Sequence, residues 1–491
     1  MATPLNDLIR STTEAYLATL DRSNPPAPPT IESELLEKVD LAIAAENLAS
    51  GRKGSDRLHA PKTLTHSQVA DVIVWRGGVA MVEIAGLIYE PGTESLKSDG
   101  VVFGRNLAVN VGDPDDRNDG LWTYDGSYLK SMIRRYNHEI TTAGIREVLA
   151  NLYDKVGQPG GVPVLREYTG TRYTPVLNGV FDREKRTLVP FDPSLVFTRK
   201  IANAFPDDGT EPEIVQPDGS IWRPSMLEAG FSDDPEVVEY IRDVRRAVTH
   251  WNKAYEKVVM PFNTEGSNGK GTWALVLRLM MGEHNVSTLS LEQFGGKFDT
   301  SALVGRLANI GDETTVGAYL PCSNTFKSYA THDVIWAEAK FVDGTPYTPR
   351  GLCIEPLNAF ARFKDKSPAL LRRLVYVPFR ATFKGADRNP AIKDDYIRRR
   401  EVLEWFLWDS LMNEPEDLEP PAACKVLLEN SSATTTPSSR GGTPTPSCCR
   451  RRGGCFRSSA PSRCSRRGTC ARTPMASGST TRASSTPSAS C

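Results

Sequence analysis

The sequence predicts an α/β fold with a mostly parallel sheet, and three observations carry that prediction. Between residues 250 and 412, short apolar runs alternate with helical patterns, the signature of strands joined by crossover helices. A glycine-rich loop at 264–272 (TEGSNGKGT) lies between one such strand and one such helix. From residue 431 onward the composition changes so completely that only the first 430 residues have a fold to explain.

The 491-residue chain carries 59 Lys+Arg against 60 Asp+Glu, with 39% apolar residues. That length suits two to four domains, and the apolar share suffices for a sizeable core. A net charge of −1 excludes a uniformly basic nucleic-acid coat and a strongly acidic mimic. The first twenty residues lack the apolar core of a signal peptide, and no apolar run approaches membrane-spanning length, so no membrane partner is expected.

Residues 1–20 read as a short helix, and Pro25, Pro26, Pro28 and Pro29 as a stiff linker. Residues 31–49 come next as a helix with Leu35, Leu36, Val39, Ile43 and Leu48 as its apolar stripe. Together 1–64 form an N-terminal segment of helices and linker. Residues 65–245 mix α and β patterns. Within them 71–75 (DVIVW) and 100–103 (GVVF) read as short strands, and 121–128 as a hairpin turning at Asp125-Gly126. Residues 175–201 read as short strands with turns at Asn178-Gly179 and 182–185.

The third segment, 246–415, holds a strand at 258–260, a helix at 273–281 and apolar runs at 307–310, 352–354 and 374–377. A helix at 394–411 is stopped by the acidic, proline-rich 414–421. Residues 416–491 are expected as an acidic linker and then a disordered tail. From 431 to the end there is no Asp, Glu, Lys, Leu, Ile or Val, but ten Arg, 25 Ser or Thr and six of the nine Cys. A segment without aliphatic side chains cannot build a packed core. A basic nucleic-acid-binding tail and a Cys metal site are possible readings. The simultaneous loss of every acid and every aliphatic residue favours translation of a GC-rich gene in the wrong frame. Without the tail's ten Arg, 49 Lys+Arg face 60 Asp+Glu, so the body is acidic.

The loop at 264–272 carries the chemistry. Phosphate binding needs small residues that let backbone N–H groups turn inward, a Lys that reaches the outer oxygens, and a helix N-terminus directly after the loop. Gly266, Ser267, Asn268 and Gly269 supply the turn and Lys270 the charge. Gly271 stands where a hydroxyl residue is usual, leaving Thr272 as the candidate Mg²⁺ ligand. In RLANIGDE (306–313), Asp312 is the candidate metal-side carboxylate and Glu313 the base that orients water. Asn358 ends a strand and is placed to sense a phosphate or the water. Arg362, Lys364 and Lys366 form a basic loop, and Lys340 is placed to reach DNA from a hairpin. Arg372 and Arg373 suit either a finger on a neighbouring subunit's nucleotide or the neutralisation of a helix C-terminus. Cys322 and Cys353 read as small buried apolar residues.

The ordered set SNGKGT, NIGDE, AEAKF and LNAFARFKDKSPALLRR with VPF resembles phage and plasmid primase–helicases. These are superfamily 3 helicases, related to the poxvirus-type primase–helicase. The resemblance is strong over 250–380. PVLNGVFD and LVPFDPSLVFTRK, at 175–200, resemble the helper domain that precedes the ATPase in that family. It implies a P-loop NTPase with an AAA+-like superfamily 3 core at 246–415, preceded by a mixed α/β helper domain at 65–245.

It further implies ATP and Mg²⁺ as cofactors, a homo-oligomeric, usually hexameric, ring, and single-stranded DNA or a replication fork as partner. A separate primase and the cytoplasm of a bacterial host are implied as well. Lys270 and Thr272 fall on the family's phosphate loop, Asp312 and Glu313 on its carboxylates, Lys340 on its DNA-facing motif, Asn358 on its sensor, and Arg373 or Arg372 on its finger. Residues 1–110 carry no strand-borne carboxylate pair, so priming is not expected of this chain. The alternatives are a nucleotide kinase-like P-loop phosphotransferase, since GKGT also occurs in such loops, and a truncated, inactive helicase product.

Overall fold

The computed structural model describes residues 5–85, 96–98, 101–296, 298–312, 319–320, 324–339, 342–385 and 388–434. The chain begins with α1 (Leu5–Ala18) and α2 (Pro28–Ala49), the latter started by prolines whose fixed φ suits a first helical turn. Ile31, Leu35, Val39 and Ile43 make the buried stripe of α2. Leu48, expected on it, is 86% exposed, and the neighbouring Asn47 is buried instead. Asn47 is accommodated because its amide bonds the Leu58 backbone in both directions, at 2.9 and 2.8 Å.

The expected strand at 71–75 lies inside α3 (His66–Arg76). Thr65 and Gln68 form a capping box at its start, and Gly77, at φ 81°, ends it. The β-branched run is apolar on nearly every side because α3 packs between helices. Strand β1 (Val79–Ala85) then pairs antiparallel with β3 (Val101–Asn110), which also pairs with β2 (Leu96–Ser98) and β4 (Trp122–Thr123). The hairpin expected at 121–128 is not formed. Asp125 accepts a hydrogen bond from the Ser127 N–H and caps α4 (Gly126–Tyr136). After α5 (Thr142–Asp154), β5 (Val164–Arg166) adds to β1 in parallel. Helices α1 to α5 share one apolar core with β1 and β3, so residues 5–64 do not form a segment separate from 65–154.

Strands β6 (Tyr173–Val176), β7 (Gly179–Asp182) and β8 (Thr187–Val189) form an antiparallel sheet with turns where the sequence places them. A short ribbon, β9 (Ile214–Val215) and β10 (Ile221–Trp222), leads into α6 (Pro224–Ala229) and α7 (Pro235–Val248). Next come β11 (Val258–Phe262), α8 (Lys270–Met281), β12 (Val286–Ser287), β13 (Ala308–Ile310), β14 (Tyr319–Leu320) and α9 (Asn324–Ala330). A hairpin, β15 (Ile335–Ala339) and β16 (Val342–Tyr347), precedes β17 (Cys353–Ile354), β18 (Arg362–Phe363), α10 (Pro368–Leu371) and β19 (Leu374–Pro378). The chain closes with α11 (Pro390–Asp394), α12 (Arg400–Met412) and α13 (Ala422–Thr434).

The central sheet runs β12-β13-β17-β11-β19, and every pairing in it is parallel. β11 and β19 are buried along their whole length, which is why they read as continuous apolar runs. Val259 and Val375 face a layer that includes α7, α8 and α12; Val258, Met260 and Tyr376 face a second core built with Phe326, Tyr329 and Tyr347. Arg245 of α7, fully buried, ties the first layer together. It donates twice to Glu228, at 2.9 and 3.1 Å, and to Asp409 at 2.7 Å, while the Trp273 indole donates to Glu228 at 3.1 Å. The 245/246 division falls inside α7, whose residues on both sides belong to this core.

The helix expected at 394–411 is broken in two. Asp395 leaves helical geometry (φ −129°, ψ −68°), and its carboxylate takes both Nε and Nη2 of Arg399 across the break. The expected linker from 416 is also corrected: Leu418 and Cys424 are buried, and α13 packs along β19. The tail from 435 lies outside the described residues, with its six Cys and ten Arg. Among the described residues no helix is long and apolar enough to cross a membrane.

Candidate functional site

The loop after β11 closes by backbone geometry. Ser267 (φ 61°) and Gly269 (φ 87°) both adopt left-handed conformations, so the chain doubles back before α8. A Cβ on Gly269 would also lie 2.3 Å from the Phe231 ring, so glycine is required there twice over. Asn263 donates to the Phe379 carbonyl and accepts from the Glu265 N–H, and buried Asn268 donates to the Glu265 carbonyl. Lys270 opens α8 with only 4% of its surface exposed, and its Nζ donates to the Asn263 carbonyl at 3.2 Å. Gly269 offers α8 no side-chain cap; the Lys270 N–H donates to Asn268 Oδ1 at 3.5 Å, which leaves the Gly271 and Thr272 N–H groups to face an anion.

Parallel strands deliver further groups to the same edge. Loop residues 266–272, Asp312 after β13, Asn358 after β17 and Lys393 of α11 line one cavity of about 210 Å³. It sits at the carboxyl ends of the strands, where open α/β sheets bind ligands. Asp312 is 75% exposed and accepts from Nη1 of Arg278, two turns along α8. The Asn358 side-chain oxygen is buried without a hydrogen-bond partner. An orphaned buried acceptor at the wall of a polar cleft is costly unless a donor arrives. Glu313 lies outside the described residues. Among the described residues no group of three or more His, Cys, Asp or Glu gathers as a metal cage.

Sequence reasoning missed three neighbours of this cleft. Lys393 arrives from over a hundred residues away and carries no local signal. Arg278 is visible only once α8 is laid beside β13. Glu355 is fully buried, accepts from Asn309 Nδ2 at 2.7 Å, and lies so close under Gly311 that a Cβ there would sit 2.5 Å from its Oε2. A glutamate inside an apolar strand, LCIEP, was the available signal.

A second cavity of about 480 Å³ adjoins the first and shares Ser267, Gly269, Thr272 and Lys393 with it. Its walls include Trp222, Phe231, Phe383 and Ile392. Phe383 is fixed there by donating its N–H to the Ser267 carbonyl at 2.7 Å.

The other candidate residues lie elsewhere. Lys340 is outside the described residues, as is Cys322. Arg362, Lys364 and Lys366 are exposed and alternate with the half-buried Phe363 and Asp365, so one side of this extended segment is basic. Arg372 is exposed at the amino end of β19. Arg373 is 91% buried; its Nη1 donates to the Ala369 carbonyl of α10, and its Nε is buried without a hydrogen-bond partner. Cys353 is a buried free thiol, as expected.

Residues 262–373 match a described protein family of unknown function, DUF5906. No curated protein matches the chain. Among solved structures, the apo structure of the NrS-1 C-terminal region is similar at 11% identity, covering 75% of this chain and 76% of that one, with a TM-score of 0.41. An A-form apo structure of the same region is similar at 11% identity, 75% coverage of each chain and a TM-score of 0.39. JCV helicase is similar at 12% identity over 43% of this chain and 64% of that one, with a TM-score of 0.21. Likeness this loose assigns no role to any residue.

Proposed function

We propose that this chain is the ATP-dependent, ring-forming DNA helicase motor of a phage, prophage or plasmid replication system. The observation that carries the reading is the convergence of the 266–272 loop, Asp312 and Asn358 in one cleft at the carboxyl ends of β11, β13 and β17. The helix start and Lys270 suit the phosphates of ATP, and the adjoining apolar cavity suits its base. The orphaned Asn358 oxygen suits a donor such as a bound water, and Glu313 is the proposed base that activates it.

Thr272 and Asp312 are the residues placed to hold Mg²⁺, directly or through water; one or two protein oxygens suffice when phosphates supply the rest. When bound, the metal would neutralise charge on the phosphates. Arg372, exposed at the opposite edge of the sheet, is better placed than Arg373 to reach a neighbouring subunit's nucleotide. Lys340, Arg362, Lys364 and Lys366 are the proposed contacts to single-stranded DNA, giving salt-sensitive binding. A hexameric ring and a separate primase complete the proposal.

The test is phosphate release from ATP with Mg²⁺, with and without single-stranded DNA, for the full chain and Lys270→Ala. DNA-stimulated hydrolysis that Lys270→Ala abolishes is expected. Hydrolysis indifferent to DNA would point to a nucleotide kinase instead. Mass photometry showing monomers only, with ATP and Mg²⁺ present, would point to an inactive product.

A further inference from the structure

At the opposite edge of the central sheet, a pocket opens between the amino ends of β13 and β17 and the segments after β4 and β5. Three guanidiniums line it, those of Arg199, Arg306 and Arg350, against one carboxylate, Glu167, among the described residues. None of the four was singled out by the loop chemistry, and none touches the cleft at the carboxyl ends.

Arg350 is mostly buried. Its Nη1 donates to Asn252 Oδ1 at 2.9 Å, while its Nη2 is buried with no hydrogen-bond partner and stands 4.0 Å from Glu167. Glu167 is already engaged by the Thr198 hydroxyl. Arg199 makes one contact, to the Tyr124 hydroxyl at 3.3 Å, and Arg306 donates to the His284 carbonyl. Gly305, at φ 66°, opens the space between them: a Cβ there would lie 2.4 Å from Arg199 Nη2. The crowding of cations is felt locally. Burial first, and Arg199 second, push the Arg306 guanidinium below its usual value, and His284 is lowered by burial and by Arg117, Arg199 and Arg306.

Three like charges gathered in a partly buried pocket, with Glu167 alone against them among the described residues, call for a further counter-ion. The pocket's free volume is about 40 Å³. That is room for a few water-sized groups, so it admits a tetrahedral oxyanion but not a nucleoside. Arginine forks match phosphate oxygens in pairs.

We infer that Arg199, Arg306 and Arg350 form a second anion site that holds a single phosphate group, separate from the loop around Lys270. The phosphate belongs either to a nucleic-acid strand or to a small free phosphate. The strands give this site a direct mechanical link to the cleft. Arg306 lies two residues before β13 and Asp312 two residues after it; Arg350 lies three residues before β17 and Asn358 four after it.

The experiment uses the full chain carrying Lys270→Ala, which silences the loop, so its outcome is independent of the nucleotide reading. Inorganic phosphate, dTMP, and (dT)₁₂ with a 5′-phosphate or a 5′-hydroxyl are titrated by calorimetry. One phosphate bound per chain is expected, with affinity falling about tenfold or more when Arg306→Gln or Arg350→Gln is added. Arg199→Gln is the parallel variant, since its single tyrosine contact makes it the least needed for folding. Tighter binding of 5′-phosphorylated (dT)₁₂ than of the 5′-hydroxyl form assigns the site to a strand end. Equal binding of both oligonucleotides, each displacing phosphate, assigns it to the backbone. Binding of phosphate and dTMP alone assigns it to a small ligand. No binding by the Lys270→Ala chain, or binding unchanged in all three glutamine variants, overturns the inference.

Discussion

The two ends of the central parallel sheet are built from the same strands and obey opposite rules. At the carboxyl ends the backbone is bent into left-handed turns at Ser267 and Gly269, α8 starts without a side-chain cap, and the Asn358 oxygen is buried unpaired. At the amino ends the chain is tied down by backbone contact. Gly351 donates to the Trp251 carbonyl, Arg373 bonds the end of α10, and His332 lies against the Gly351 carbonyl at 3.4 Å. Both ends hold unmet hydrogen bonds among the described residues: Asn358 Oδ1 at the carboxyl end, Nη2 of Arg350 and Nε of Arg373 at the amino end. The difference lies in the backbone, which the carboxyl end bends into an open loop and the amino end pins by close contact.

Substitutions at the two ends should separate activity from stability. Lys270→Ala should lower ATP hydrolysis by roughly 10²–10³-fold, what losing one key transition-state contact costs, while its melting temperature stays close to that of the parent. Unchanged turnover would break the comparison outright. Gly351→Ala should do the reverse. At φ 77° a Cβ would sit 1.8 Å from the Leu307 carbonyl oxygen, and a loss of about 3 kcal/mol is expected in denaturant titration. A variant as stable as the parent would show that the amino end is not rigid.

The amino end also carries a pH dependence. Burial, opposed only in part by the Gly351 carbonyl, lowers the His332 pKa to about 4. Well above pH ~6.5 the ring is neutral whether folded or not. As pH falls from there to about 4, the unfolded chain gains a proton that the folded chain refuses, so stability is lost over that window. The loss should approach about 3 kcal/mol. His332→Asn, which tolerates the residue's left-handed φ of 54°, should flatten the slope in thermal melts between about pH 7 and 4. An unchanged slope would place the titration elsewhere.

Asn358→Ala should reduce turnover about tenfold or more without lowering stability, because the oxygen it removes has no partner to lose. Paired loss of activity and stability would make Asn358 structural. The smallest effect is expected at Arg372. Arg372→Ala should shift stability by no more than about 0.5 kcal/mol, yet reduce hydrolysis in any assembled ring more than Arg373→Ala does at equal folding.

Much of the central sheet is legible because its strands are buried on both faces. VVM at 258–260, the 307–310 run and LVYV at 374–377 read as strands whatever surrounds them. The turn at 264–272 is legible because a glycine-rich run between a strand and a helix must double back, as Ser267 and Gly269 do at positive φ. The 71–75 run misleads because DVIVW is β-branched, and only the capping box and the neighbouring helices turn it into α3. Asp125-Gly126 reads as a hairpin turn, although the same Asp serves equally well as a helix cap.

The order of the candidate groups is written in the sequence: a loop, then a carboxylate pair, then an amide, then paired arginines, each next to an apolar run. Only the tertiary structure decided what those groups meet. The sheet order places β17 between β13 and β11, which brings Asp312 and Asn358 to one cleft and leaves Arg372 and Arg373 at the far edge. It also buries Arg373 while exposing Arg372, and assembles Arg199, Arg306 and Arg350 from segments up to 151 residues apart. Strand order is set by which apolar faces pack together across the whole domain, and no local pattern of side chains records it.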